Sequence, residues 1–279
     1  MADITTLLDA RYGSNTSTSG DSISEAANLT IKTLLEHKSA RHFLPSPLVP
    51  VTLEILVAAA QSAATSSNLQ TWSVVAVSDP ERKDALATLS GDQDFIRQAP
   101  LFLIFCADLN RLTRVSQQHQ QPAEGLEYIE MFLMASLDAA LAAQNAAVAA
   151  ESLGLGICYV GAVRNRAAEL ASLLHLPSRV VALFGMAVGK PDLTAGEEVK
   201  PRLPLDEVLH REVWDDNAGA QAEHVQAYDQ TLDKFNNSQG REGVALWSQR
   251  SAQRVSTLER LSGRHVLRDV LRGRDFNLK

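Results

Sequence analysis

Cysteine is almost missing from this chain, with only Cys106 and Cys158 among 279 residues. Each lies inside an apolar run and not in a ligand-spaced pair, so neither a zinc framework nor a disulfide-rich secreted scaffold is supported. Buried thiols in a reducing compartment are the favoured reading, with a disulfide between the two left open. Aromatic residues are scarce, at 5%, so much of the core has to come from Ala, Leu and Val. Positive charge is in deficit: 26 Lys and Arg against 33 Asp and Glu give −7. That balance offers nothing to bulk electrostatic binding of DNA or RNA. The opening residues, MADITTLLDARYG, lack the basic-then-apolar layout of a secretory signal. The longest apolar stretch, Met131 to Ala150, is broken by Ser136, Asp138, Gln144 and Asn145, so it reads as a buried or interface helix and not as a membrane span. The expected location is the cytoplasm.

Catalytic signatures that reside wholly in side chains are also lacking. No HExxH, GxSxG, P-loop or zinc spacing occurs, and His210 and His265 have no partner at metal-binding distance in sequence. Gly154-Leu155-Gly156 is no dinucleotide fingerprint: the third glycine is absent and the pair follows a helix, so it reads as a helix stop and a tight turn.

What is present is an alternation of helical and extended patterns. Residues 13–26 are rich in Ser, Gly, Thr and Asn and read as a flexible connector. Helices are expected over Leu29–His37, Thr52–Ala64 with Thr52 as N-cap, Glu81–Leu89, Glu127–Leu153 and Arg166–Leu174. Strands are expected over Ser73–Val77, Leu101–Ala107, Ile157–Val160 and Val180–Val188. This divides the chain into an N-terminal extension with a linker (1–27), a main domain (28–214) and a C-terminal helical extension or arm (215–279). The arginines between Arg250 and Arg274 recur at helical intervals. They fit a solvated tail with its apolar side packed on the body, or an arm that also reaches an anionic ligand.

Three segments have the chemistry of a ligand site, and each has a plainer reading. His37-Lys38-Ser39-Ala40-Arg41 puts three potential cations and a hydroxyl at a helix end, suited to a phosphate or simply a surface charge run. Thr65 to Trp72 is a polar loop whose hydroxyls and amides suit a ligand with many hydrogen-bonding edges, or an ordinary connection. Lys200-Pro201-Arg202 sets two cations about a rigid proline, either an anion clamp or a stiff turn.

HKSARHF, ATSSNLQ, SGDQ, AAQNAAVAAESLGLG, YVGAVRN, LFGMAVG and KPRLP occur in this order. Together they resemble the nitroreductase superfamily, in the branch of oxygen-insensitive NADPH nitroreductases and NADPH-flavin oxidoreductases, over about residues 28–214. The resemblance implies an α+β fold: a mixed, largely antiparallel sheet flanked by helices, in an intertwined homodimer with FMN at the interface. By the same resemblance His37, Ser39, Lys200 and Arg202 hold the FMN phosphate, and Arg41 lies near the flavin N1–O2 edge. Ser66, Ser67, Asn68 and Gln70 contact the ring and ribityl chain, with Gln93 as a further polar contact. The backbone of Tyr159, Val160, Gly161 and Ala162 lies against the ring. Since the cofactor carries the chemistry, no catalytic side chain is expected and no metal.

The implied activity is two-electron transfer from NADPH or NADH, by ping-pong kinetics, to nitroaromatic, quinone or flavin acceptors. The alternatives are a flavin reductase supplying reduced FMN to a monooxygenase, and a non-enzymatic flavin-binding protein. The chain departs from the branch in two places. Ala162 stands where a second glycine is usual, adding a methyl group that would crowd the ring or shift the backbone. The loop expected to bind the NADPH 2′-phosphate, Asn236 to Val244, offers only Arg241. Arg264 matches an arginine near the substrate pocket. NADPH is expected to work as donor, with NADH less disfavoured than is usual.

Overall fold

The computed structural model describes residues 3–13 and 27–279; the connector expected at 13–26 therefore lies almost wholly outside the described residues. Along the chain run α1 (Ile4–Tyr12), α2 (Leu29–Glu36), α3 (Thr52–Gln61), β1 (Trp72–Val77), α4 (Pro80–Leu89), α5 (Asp94–Gln98), β2 (Leu101–Asp108) and α6 (Asn110–Gln118). There follow α7 (Ile129–Ser152), β3 (Gly156–Val160), α8 (Ala167–Leu173), β4 (Val180–Gly189), α9 (Leu205–Val208), α10 (Ala218–Ser238), α11 (Trp247–Arg254) and α12 (Leu267–Arg272). The chain forms two compact units, one of residues 1–38 and 196–261, the other of 39–195 and 262–279.

The second unit is built on a sheet of order β1-β2-β4-β3 in which every strand pair is antiparallel. A parallel element enters through the single bridge Ser39–Ile157. All eight residues of β2 are buried, because the sheet is covered on both faces and alternation has no solvent side to serve. Phe102, Ile104 and Cys106 face one cluster, with Leu86 and Ile96. Leu101, Leu103 and Phe105 face another, with Leu56 of α3 and the alanines of α7. Alanine at 142, 143, 146, 147 and 150 lets α7 lie close on the sheet, which is how a chain poor in aromatics packs its core. Both cysteines are buried and neither is in a disulfide; burial pushes the Cys106 thiol up to about 12.

The expected helices and strands are present, and α7 ends with Gly154 at φ +74°. By length and composition α7 could cross a membrane, but its alanine face and Asp138 are buried in the second unit. Thr52 is not the N-cap of α3: Val51 holds that position without a side-chain bond, and Thr52 is buried in the first turn.

The C-terminal region differs most from expectation. The polar stretch after Trp214 contains the 21-residue α10, opened by the Asn217 side chain accepting from Gly219 and Ala220 amides. The arginine-rich region is no single helix. Its first helix, α11, ends at Arg254, and Ser262 and Gly263, at φ of +54° and +84°, make a further break before α12. A side chain at Gly263 would place Cβ 2.7 Å from the Asn165 carbonyl oxygen. Beyond the break the tail packs through Leu271 and Phe276, and the Arg274 guanidinium donates to the carbonyls of Leu176, Pro177 and Val180. His210 stacks on Trp214, with ring centroids 4.0 Å apart.

Candidate functional site

Within the second unit, the polar loop between α3 and β1 is organised from below by one carboxylate. Asp138 of α7 is 2% exposed. It accepts from the Thr65 hydroxyl at 2.6 Å, the Ser66 amide at 3.0 Å, and the Thr71 amide and hydroxyl at 3.0 and 2.9 Å. Burial pushes its pKa up, but the bonds from Thr65, Ser66 and Thr71 outweigh that and hold it below the ordinary aspartate value. Ser67, Asn68 and Gln70 all take positive φ, of 50°, 56° and 52°. Non-glycine residues persist there only where their surroundings over-determine the conformation, and Asp138 does so here. Arg111 of α6 adds a second tie, donating to the carbonyls of Gln70 and Trp72 and to the Ser73 hydroxyl. The outcome is a fixed backbone with Ser66, Ser67, Asn68 and Gln70 exposed, beside a cleft of about 600 Å³ that includes Asn68, Gln70, Trp72 and Arg111.

A second group in the same unit surrounds the end of β3. Ser39 bridges to Ile157, and the Ala40 amide donates to the Ile157 carbonyl at 2.8 Å, so the segment bearing Ser39 and Arg41 runs beside that strand. Gly156 makes this possible: a Cβ there would lie 2.6 Å from Ala40 Cβ and 3.0 Å from Pro191 Cβ. Tyr159 packs edge-on to Phe184 and its hydroxyl reaches Gln144 at 3.5 Å. Two guanidiniums converge at Gly161, where a Cβ would meet Arg164 Nη2 at 3.4 Å and Arg264 Nη1 at 3.7 Å. Arg264 is oriented by a 2.8 Å bond to the Asn165 side chain. Burial first, and the Arg264 charge second, hold the Arg164 pKa down; a pair of like charges at an open backbone position attracts an anionic or electron-rich group. The Ala162 methyl packs against the core and near Gly91 of the SGDQ turn, so packing accommodates it. Gln93 in that turn donates to the Ser90 carbonyl at 2.8 Å.

The loop and the end of β3 are not brought into one place. An aromatic row, Trp72–Phe105–Phe184–Tyr159, with centroids 5.6–6.2 Å apart, runs from β1 at one edge of the sheet to β3 at the other. Three strand spacings put these edges on the order of 14 Å apart.

In the first unit, Lys200 and Arg202 are exposed and Pro201 between them is buried. The Pro201 carbonyl accepts from the Tyr228 hydroxyl at 3.2 Å, and the Arg202 amide donates to the Arg11 carbonyl at 2.7 Å. Lys38 is turned to the Glu197 carbonyl at 2.7 Å. His37 is half-buried at the end of α2. Arg241 is exposed after α10, its amide closing on the Asn236 carbonyl. Among the described residues no group of three or more His, Cys, Asp or Glu is placed to hold a metal.

Sequence reading did not single out Asp138, Arg111, Arg164 or Arg11. Only Asp138 carried a signal, as the one carboxylate inside the apolar stretch Met131 to Ala150; the others depend on contacts distant in sequence.

The model of the nitroreductase family matches residues 34–190, and that of the nitroreductase family C-terminal domain matches 200–279. The chain is 37% identical to FMN reductase (NADPH) of Bacillus subtilis over 252 residues, covering 90% of this chain and 99% of the relative. It is 38% identical to FMN reductase [NAD(P)H] of the same organism over 255 residues, at 90% and 99% coverage. The structure of NADPH:FMN oxidoreductase from Vibrio harveyi complexed with NAD+ superposes with a TM-score of 0.78 at 33% identity, covering 90% of this chain and 99% of that one. The chain belongs to the nitroreductase family.

Proposed function

We propose that this protein is an FMN-dependent oxidoreductase that takes two electrons from NAD(P)H and passes them to nitroaromatic, quinone or flavin acceptors. The observation that carries the reading is the loop of Ser66 to Gln70. Its backbone is committed to Asp138 and Arg111, and its polar side chains are left facing outward. A rigid rim of hydroxyls and amides beside a cleft of about 600 Å³ suits a planar heterocycle with a polyol chain. The names of the relatives, FMN reductase and NADPH:FMN oxidoreductase, support the same cofactor and donor.

When bound, FMN supplies the two-electron chemistry, receiving hydride from the nicotinamide and releasing electrons to the acceptor. The protein's part is binding and electrostatics. In the first unit His37, Lys200 and Arg202 offer donors for a phosphate; in the second, Ser39 offers a hydroxyl for hydrogen bonding. Arg41 would supply positive charge to the flavin's pyrimidine edge, favouring its reduced form. Ser66, Ser67, Asn68, Gln70 and Gln93 hold the polar edges and the ribityl chain, and Tyr159 to Ala162 form a backbone wall. Arg264, with Arg164 beside it, meets the acceptor or the donor; Arg241 meets the donor phosphate. Donor and acceptor would bind in turn, which predicts ping-pong kinetics.

The working form in this reading is a homodimer with FMN at the interface. Ile129, Leu133, Leu137 and Leu141 recur every fourth residue of α7 and are 49–58% exposed. Such a stripe fits against its own copy. The separation of the loop from the end of β3 supports the same arrangement, since a second copy can bring the one to the other.

The test is to load the protein with FMN, remove the excess, and add NADPH without oxygen while following the flavin absorbance. Bleaching at near-equimolar donor is expected. Flavin that stays yellow with both NADPH and NADH would turn the reading to a flavin carrier.

A further inference from the structure

The segment before residue 34 lies outside both family models, and 90% of this chain is enough to cover 99% of the Bacillus subtilis FMN reductase. A segment outside both family models would ordinarily be peripheral. Here it contains Arg11, which is 5% exposed although it carries a full charge. In the first unit its guanidinium donates to the Leu35 carbonyl through Nε at 3.2 Å and Nη2 at 2.9 Å. Nη2 also reaches the His37 carbonyl at 2.5 Å, and Nη1 the Lys200 carbonyl at 2.9 Å. Its own carbonyl accepts from the Arg202 amide at 2.7 Å. One residue thus ties the end of α2 to the Lys200-Pro201-Arg202 strip, by side chain and by main chain.

The physics of this position is specific. The last carbonyls of a helix lack intrahelical partners and form its negative pole. An anion placed by His37 at the end of α2 would meet that pole. Arg11 puts a buried positive charge among those carbonyls and occupies them, so the local field turns from repelling an anion to attracting one. The same bonds fix the backbone from which Lys200 and Arg202 project. Leu7 and Leu8, buried on the same helix, anchor α1 where the guanidinium can do this.

We propose that Arg11 is a positioning residue for the cofactor's phosphate: the N-terminal helix, which lies outside both family models, sets the discrimination for flavin mononucleotide over its unphosphorylated form. The proposal rests on the FMN reading above. Its readout is the ratio of riboflavin to FMN dissociation constants, measured by fluorescence titration of full-length protein freed of flavin. A purely structural role of Arg11 would weaken both ligands alike.

For the native chain the ratio should favour FMN, and the double variant K200A/R202A should lose that preference. Arg11→Ala should weaken FMN by about tenfold and leave riboflavin unchanged. Arg11→Lys, which keeps the charge but not the forked donors, should fall between and serves if the alanine variant does not fold. A ratio in Arg11→Ala or Arg11→Lys equal to that of the native chain would overturn the proposal. If the native chain itself shows no preference, or K200A/R202A retains one, the phosphate assignment falls first and the role of Arg11 with it.

Discussion

Thr71 gives both its amide and its hydroxyl to a single oxygen, Oδ2 of Asp138, at 3.0 and 2.9 Å. Both residues are buried, so the bond is shielded from water and ties the start of β1 to α7. With Thr65 and Ser66 bonded to the same carboxylate, a loop with three positive-φ residues is held in one conformation.

Removing that carboxylate should therefore show in stability and in binding together. Asp138→Ala strands several buried donors and should cost about 2–4 kcal/mol, read from denaturant unfolding. FMN affinity should fall with it, because Ser66 to Gln70 lose their fixed backbone. Unchanged FMN affinity at reduced stability would separate the loop from the cofactor.

The same group predicts a pH effect. Its folded pKa lies below the ordinary 3.8 of an aspartate, so the native state binds the proton less readily than the unfolded chain does. The stabilisation is then fully present above 3.8 and is lost as the pH falls through the lower, folded value. Unfolding midpoints between neutral pH and strong acid should show a component that Asp138→Asn abolishes.

Gly156→Ala addresses the other group. A methyl there would sit 2.6 Å from Ala40 Cβ, beside the segment of Ser39 and Arg41. Overpacking of this kind costs about 1–3 kcal/mol, seen as a lower Tm. FMN binding should weaken as Ser39 is pushed from Ile157.

Leu137→Glu puts a charge in the middle of the exposed stripe of α7, at a position 54% exposed. If that stripe is the subunit contact, sedimentation should show a shift from dimer to monomer, with loss of bound FMN. A folded dimer that keeps its flavin would place the contact elsewhere.

Arg241 is the lone cation between Asn236 and Val244. Arg241→Ala should lower kcat/KM for NADPH by about three- to tenfold and leave NADH almost untouched. In the native protein both donors should be used. Equal loss with both donors would remove Arg241 from recognition of the 2′-phosphate.

Much of the second unit was legible in the sequence because its cues are local. A continuous apolar run from Leu101, after Pro100, pointed to a strand, and Gly154 to the stop of the helix before it. The motifs at 37–43, 64–70, 90–93 and 159–165 likewise revealed the family from residue order alone. Less legible were features whose cause is distant. Thr52 had the chemistry of an N-cap, but burial claimed it and Val51 took the position. The arginines after Arg250 had a helical spacing, but the helix ends at Arg254, and Gly263, against which Asn165 lies, makes a further break.

By itself, then, the sequence determined the elements, the family and the residue types offered to a flavin, since these follow from periodicity, turn residues and motif order. Only the tertiary structure decided that Asp138 holds the loop, that Arg11 joins α2 to the Lys200 strip, and that Arg164 and Arg264 converge at Gly161. Hydrogen bonds and charges act over a few ångströms in space, and these partners are separated by 67, 189 and about a hundred positions along the chain. No local pattern records such an encounter; folding has to make it.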